Sequence, residues 1–197
     1  MGRAGGSSLR SSLYYAAGHC FMLLRKNERA VAEFRSCVAQ QPAHVQAWRM
    51  IGFLGQRAGR DAEAALAFGR ALELAPDDAA TCYNRGFLLH RMQQLDAALA
   101  HMQDATRLDP SLDLAWYGTG LILAALGRHA ACAGALEEAV RLQPFNGAAS
   151  IALCRAYRES GDEEKLLAEY RRIREFDPPG ARQLCRELAI EPVDTAG

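Results

Sequence analysis

The sequence predicts an all-α protein of the α-solenoid class, a stack of helical hairpins. Three observations indicate this fold. Five prolines recur at intervals of 34 residues, namely Pro42, Pro76, Pro110, Pro144 and Pro178. Between them, apolar residues follow the spacing of helix faces, and small residues return at fixed places in each interval. A fixed period of about 20–50 residues is typical of repeat architectures, in which each repeat buries its apolar face against its neighbours.

Each interval reads as two amphipathic helices. Frames of 34 residues begin at Ser11, Val45, Ala79, Asp113 and Gly147, and their aligned positions are called columns 1 to 34. Columns 4, 7, 8 and 11 form the i, i+3, i+4, i+7 stripe of a first helix, and columns 20, 24 and 27 mark a second. The proline in column 32 ends each second helix, because it lacks an N–H and clashes with a continuing helix.

Small residues indicate where the two helices of a hairpin touch. Column 8 is glycine in four frames, at Gly18, Gly52, Gly86 and Gly120. Column 20 contains Ala30, Ala64, Ala98, Cys132 and Leu166, and column 24 contains the larger Phe34, Phe68, Met102, Leu136 and Tyr170. We expect close helix approach at columns 8 and 20, with the larger side chains filling the space beside them.

The turn within each hairpin also has a signature. Gly59, Gly127 and Gly161 occupy one column, where a glycine after a helix is the usual C-cap residue. Arg25 and Gln93 replace this glycine in the first and third frames.

The pattern predicts the organisation of the whole chain. Residues 1–10 are rich in Gly and Ser and are expected to be a flexible tail. Residues 11–180 are predicted to form five repeats, with boundaries at 11–44, 45–78, 79–112, 113–146 and 147–180. Residues 181–197 should supply a capping helix over 181–191 and a short tail, because a repeat stack needs an end with one polar face.

Composition excludes several classes of function. The formal net charge is zero, which argues against duplex DNA as a partner. No apolar run approaches the roughly 20 residues that a membrane span requires. The six cysteines form no CxxC or zinc-like spacing, so we expect reduced core thiols in a cytoplasmic protein. Only Lys26 and Lys165 are lysines among 23 basic residues, a bias that suggests a bacterial source.

The repeats resemble a known family. Trp48, Gly52, Ala64, Phe68 and Pro76 stand where the tetratricopeptide repeat (TPR) has its characteristic residues, and the resemblance extends from Ser11 to Pro178. It implies a right-handed superhelix with a concave groove lined by the first helix of each hairpin.

The resemblance also implies which residues face that groove. They form a strip of aromatic rings flanked by arginines, which would bind apolar side chains and acidic groups. The alternative is that the rings pack partly against neighbouring helices and the arginines are solvated. The predicted groove residues are Tyr15, His19, Arg49, Phe53, Arg57, Tyr83, Asn84, Phe87, His90, Arg91, Tyr117, Leu121, Arg155 and Arg158.

The predicted function is a non-catalytic adaptor or chaperone-like protein that binds a peptide segment of a partner. No catalytic motif, metal site or cofactor site is expected. Some TPR proteins grip a C-terminal carboxylate, and Arg49 and Asn84 fit the first two positions of that clamp. Leu114 and Gly118 stand at its later basic positions, so the clamp is not predicted.

Three alternatives stay open. Single-stranded RNA could stack its bases on Tyr83, Phe87 and Tyr117. The chain could be a regulatory subunit, or a fragment of a larger TPR-containing enzyme. Self-association is a further alternative, since Tyr14, Tyr15 and Phe21 lie near an uncovered end of the stack.

Overall fold

The described part of the molecule is built from helices alone. The computed structural model describes residues 4–190, with side chains from residue 8 onward, and its regular structure there is α-helical. The predicted all-α fold is confirmed. The helices are α1 (Ala4–Leu23), α2 (Asn27–Gln40), α3 (Val45–Arg57), α4 (Asp61–Leu74), α5 (Ala79–Arg91), α6 (Leu95–Leu108), α7 (Asp113–Ala125), α8 (His129–Leu142), α9 (Gly147–Ser160), α10 (Glu163–Phe176) and α11 (Pro178–Leu188).

The helices form five hairpins and one additional helix. In the first compact unit, residues 1–108, α1 packs on α2, α3 on α4 and α5 on α6. In the second, residues 109–197, α7 packs on α8 and α9 on α10, while α11 contacts both α9 and α10. No helix within residues 4–190 combines the length and hydrophobicity needed to cross a bilayer.

The hairpin interiors follow the predicted columns. A methyl group on Gly52 would lie 2.8 Å from the ring of Phe68, and one on Gly120 would lie 2.5 Å from Leu136. Ala64 and Ala98, in column 20, are 0% exposed. Small residues therefore allow the close approach of paired helices, and the column-24 side chains fill the space beside it.

One residue in the turn of each hairpin adopts the left-handed backbone conformation, whether or not it is glycine. Gly59, Gly127 and Gly161 have φ angles of 71°, 70° and 78°. Arg25 and Gln93 adopt φ angles of 56° and 60° at the same column. A side chain makes this conformation unfavourable, so the first and third hairpins carry local strain that the others avoid.

Replacing Gln93 with glycine should therefore stabilise the protein by about 0.5–1 kcal/mol. This is the balance between relief of the left-handed strain and the extra unfolded-state entropy of glycine. Gln103→Gly, at an exposed interior position of α6, is the control and should lose about 1 kcal/mol. Urea denaturation followed by circular dichroism measures both changes. Equal destabilisation by the two substitutions would contradict the strain at Gln93.

The N-terminal segment differs from the prediction. α1 begins at Ala4, so residues 4–10, expected to be a flexible tail, are helical. Ser11 is 0% exposed, and its hydroxyl oxygen lies 2.9 Å from the Ser8 carbonyl oxygen and 2.7 Å from Gln41 Oε1, the two acceptors within reach of its one proton. This tertiary contact outweighs the low helix propensity of the Gly/Ser-rich segment. Residues 1–3 lie outside the described range.

The last helix begins earlier than predicted. α11 covers Pro178–Leu188 rather than 181–191, because Pro178 and Pro179 occupy its first turn, where a missing N–H is harmless. The Asp177 side chain caps it by accepting from the Gly180 N–H at 3.1 Å. α11 buries Ala181 and Leu184, as expected of an end cap. The tail predicted after residue 190 lies outside the described range.

Cysteine burial was only partly predicted. Cys37, Cys82, Cys132 and Cys154 are buried free thiols, and burial raises the pKa of Cys82 to about 11. The prediction of six core thiols is wrong for Cys20, which is exposed, and only partly right for Cys185, which is half-buried and also free. Cys20 lies on a face of α1 that no other described helix covers.

Candidate partner-binding site

The predicted groove residues remain accessible in the structure. Ten of them lie on α1, α3 and α5 of the first unit, and four lie on α7 and α9 of the second. All fourteen are at least partly exposed, and the Phe53 side chain is 39% exposed. The rings are therefore not fully enclosed between helices, although Phe87 packs partly against the core cluster of Ala64, Phe68 and Leu88, as the alternative interpretation expects.

Two ring–arginine pairs repeat on neighbouring hairpins of the first unit. The Arg57 guanidinium lies 5.6 Å from the centroid of the Phe53 ring, and Arg91 lies 5.8 Å from that of Phe87. Each pair is separated by four residues, so it spans one helical turn. The Tyr83 ring extends the second pair, with its centroid 6.4 Å from that of Phe87. A cation stacked on a ring offers apolar contact and charge at the same place.

The α1 residues of the strip are fixed by the core beneath them. The Tyr15 and His19 rings pack edge to face with their centroids 4.6 Å apart, and both rings pack against the buried Phe34. The Tyr15 ring also lies 4.6 Å from His44, whose Nδ1 accepts from the Ala47 N–H at the start of α3. These contacts hold the two side chains in place with only part of their surface exposed.

The strip is less basic than the sequence indicated. Arg49 forms an ion pair with Asp78, and the Arg91 Nε lies 3.1 Å from the Asp61 carboxylate. Among the described residues, no ion pair involves Arg57. The acids come from columns 17 and 34, outside those that the resemblance implies for the groove, and so the sequence reading missed them. Both stand at the start of a helix, where an acid is common and could have been suspected.

Arg155 and Arg158, the predicted groove arginines of the second unit, are both engaged by neighbouring groups. The Arg155 guanidinium donates to both carboxylate oxygens of Glu187, at 2.7 and 2.8 Å, which lowers the pKa of that carboxyl. Arg158 donates to the Leu188 carbonyl at 2.9 Å and pairs with Glu163 at 3.2 Å. The two arginines thus connect α9 to α11, and their role in binding a partner stays a prediction.

Two of the predicted residues of the second unit line a cleft. Leu121 and Arg155 both line this 340 Å³ space between α7, α8 and α9, together with Ala124 and Ala152. Tyr117, one turn before Leu121, is half-buried. The structure therefore brings Leu121 and Arg155 together and leaves Tyr117 outside the cleft.

The carboxylate clamp gains no support. Asn84 and His90 are half-buried on α5, but Arg49 is already engaged by Asp78. Leu114 is 45% exposed and Gly118 is buried, so neither supplies a cation. Within residues 4–190, no group of three or more His, Cys, Asp or Glu side chains is arranged to hold a metal ion.

A second surface of the first unit was missed. Trp48, Leu66 and Arg70 line a 340 Å³ cleft between α2, α3 and α4, and Trp48 and Arg70 also line a neighbouring one of 490 Å³. Leu66 is 73% exposed. Trp48 is held by its indole N–H, which donates to the Pro42 carbonyl at 2.8 Å. The signal in the sequence was a leucine in column 22, outside the apolar columns 20, 24 and 27 of the second helix.

Comparison with known families gives two matches. The family model of the bacterial transcriptional activator domain matches residues 52–195, and a tetratricopeptide-repeat model matches residues 15–79. Anaphase-promoting complex subunit 3 of Schizosaccharomyces pombe is 23% identical over 157 residues, which are 80% of this chain and 24% of that protein. The chain thus spans about a quarter of the length of this relative.

Solved structures share the fold. MamA protein superposes with a TM-score of 0.79 at 17% identity, over 95% of this chain and 98% of MamA. YrrB, described as a TPR protein with an unusual peptide-binding site, also gives 0.79, at 19% identity over 88% of this chain and 90% of YrrB. At these identities the similarity shows a shared arrangement of helices and no more.

Proposed function

The chain belongs to the tetratricopeptide-repeat family and, over residues 52–195, to the family of bacterial transcriptional activator domains, and on this basis we propose that it is a non-catalytic adaptor or chaperone-like protein that binds a segment of a partner protein. The binding surface is the exposed face of α1, α3 and α5, with Phe53, Arg57, Phe87 and Arg91 at its centre. The structural similarity to YrrB supports a peptide as the ligand.

The observation that carries the proposal is the repeated ring–arginine pair. Aromatic and arginine side chains are enriched among the residues that contribute most to protein interfaces. Phe53 presents an accessible ring, and Arg57 lies over it with no described carboxylate partner. A segment with an apolar side chain next to an Asp or Glu fits this arrangement. The ring packs against the apolar side chain, and the guanidinium pairs with the carboxylate.

The same contacts disfavour single-stranded RNA. A nucleic acid would require several cations for its phosphates as well as rings for its bases. In the first unit, Arg49 and Arg91 are already paired with Asp78 and Asp61. An RNA would have to break these ion pairs, whereas a peptide with one acidic group would need only Arg57.

The family match suggests a class of partner. We propose that the partner is a component of bacterial transcription, because the matching family is that of transcriptional activator domains. We also propose a cytoplasmic location, which the free thiols support, since disulfides are rare in reducing compartments.

Selection of peptides on the purified protein tests the binding surface. A displayed random-peptide library should give apolar–acidic sequences, and the affinity of a synthetic copy can be measured by isothermal titration calorimetry. Arg57→Glu should weaken this affinity about tenfold or more, because it replaces an attraction by a repulsion. Arg70→Glu is the matched control, since Arg70 is an exposed arginine of the same unit on α4. Equal losses for both variants would remove α3 from the binding surface.

A further inference from the structure

One side of α1 carries an uncovered apolar stripe. Leu9, Leu13, Ala16, Cys20 and Leu23 follow one another at intervals of 4, 3, 4 and 3 residues, and all five are exposed. We call these residues the α1 seam. Leu9, Leu13 and Leu23 are 67%, 63% and 86% exposed, whereas most large apolar residues in the first unit are covered. Apolar residues at alternating intervals of 3 and 4 are typical of a helix that packs along another helix.

The opposite side of α1 already has a partner. Ser11 and Gly18 are buried there, and a methyl group on Gly18 would lie 2.5 Å from Phe34 of α2. Tyr14, Tyr15 and Phe21, the residues that suggested self-association from the sequence, pack partly buried against this core. The more exposed apolar residues of α1 are therefore those of the seam rather than these three rings.

The later repeats show what normally covers this face. Leu13 and Cys20 occupy columns 3 and 10. In α3 these columns are Ala47 and Leu54, at 0% and 2% exposure, and in α5 column 10 is Leu88, at 0%. α3 packs on α2 and α5 packs on α4. The seam is thus a surface that stacks on a helix in every later hairpin of the unit, and on α1 no described helix occupies it.

The charge of the seam indicates a second copy of the chain. Between residues 8 and 23, Arg10 is the only Lys, Arg, Asp or Glu, so two α1 helices meet without repulsion and with matching apolar stripes. The other end of the chain is a poorer match. α11 exposes Arg182, Arg186 and Glu187, which would lose hydration against an apolar surface.

We propose that the protein forms a homodimer in which the α1 seams of two copies pack against each other. The helix is already formed by its contacts with α2, so association does not bear the free energy of helix nucleation. The seam extends over about 22 Å, which gives each copy five contact positions. This interface is separate from the ring–arginine pairs of α3 and α5, so the dimer could bind two partner segments.

Sedimentation over a concentration series tests the dimer. The wild-type chain should shift from monomer to dimer between about 1 and 200 µM, because a weak interface responds to concentration by mass action. Leu13→Glu should remain monomeric over this range. Leu66→Glu, which alters a 73% exposed leucine of α4, should dimerise like the wild type. A wild-type monomer at every concentration, or loss of the dimer in Leu66→Glu alone, would overturn the proposal.

A chemical readout on the unaltered chain gives an independent check. Cys20 is an exposed thiol within the seam, whereas Cys185 is a half-buried thiol on α11. Alkylation of Cys20 should slow as the protein concentration rises, because the seam becomes covered, and alkylation of Cys185 should not change. A Cys20 rate independent of concentration would contradict the proposal even if Leu13→Glu failed to fold.

Discussion

Replacing Gly52 with alanine should destabilise the first unit by about 1–3 kcal/mol, the usual effect of an added methyl group in a well-packed core. The new Cβ would lie 2.8 and 2.9 Å from atoms of the Phe68 ring, well inside van der Waals contact. The ring has little room to move, because Phe68 is 2% exposed and packs in a core cluster with Ala64 and Leu88. Either α3 or the ring must therefore shift.

The matched control is Gly134→Ala in the second unit. A methyl group there would meet no atom within 4 Å, so only helix propensity changes, and we expect stabilisation by about 0.5–1 kcal/mol. Both variants can be compared by thermal and urea denaturation. If Gly52→Ala were tolerated as well as Gly134→Ala, the close approach of α3 and α4 would not require glycine in column 8.

Replacing Phe53 with alanine should weaken binding of a library-selected peptide about thirtyfold. A ring at the centre of an interface typically contributes about 2 kcal/mol or more, and Arg57 would also lose the surface on which it stacks. Stability should change little, because the Phe53 side chain is already 39% exposed. Calorimetric titration gives the affinity, and circular dichroism verifies that the fold is retained.

Leu66→Ala serves as the control for Phe53→Ala. Leu66 is a 73% exposed apolar residue of the same unit and lines the cleft on α4. Its truncation should leave the affinity unchanged. A loss of affinity with Leu66→Ala and none with Phe53→Ala would move the binding surface to the cleft that contains Trp48.

The sequence predicted the hairpins because their determinants are local and periodic. Column 8 is glycine in four of the five frames and column 24 holds a large apolar or aromatic residue in all five, and the structure places Gly52 against Phe68. A pattern that repeats five times averages out exceptions in single repeats, such as Gln93 in place of the turn glycine. The fold therefore follows from periodicity with few residues misplaced.

The electrostatics of the site could not be predicted in the same way. Asp78 and Asp61 neutralise Arg49 and Arg91 from columns outside those implied for the groove. Such pairs depend on how successive hairpins meet, which no single repeat encodes. The exposure of Cys20 has a related cause, because column 10 is buried in α3 and α5 by packing on α2 and α4, and no described helix packs on this face of α1.

The central claim is that the ring–arginine pairs of the first unit bind the partner segment, and mapping a bound peptide by NMR tests it most directly. The backbone amide signals of ¹⁵N-labelled protein would be followed during titration with the library-selected peptide. We predict that the largest shifts fall at Phe53, Arg57 and Phe87. Shifts confined to the cleft around Trp48 and Leu66, with these three residues unaffected, would contradict the claim.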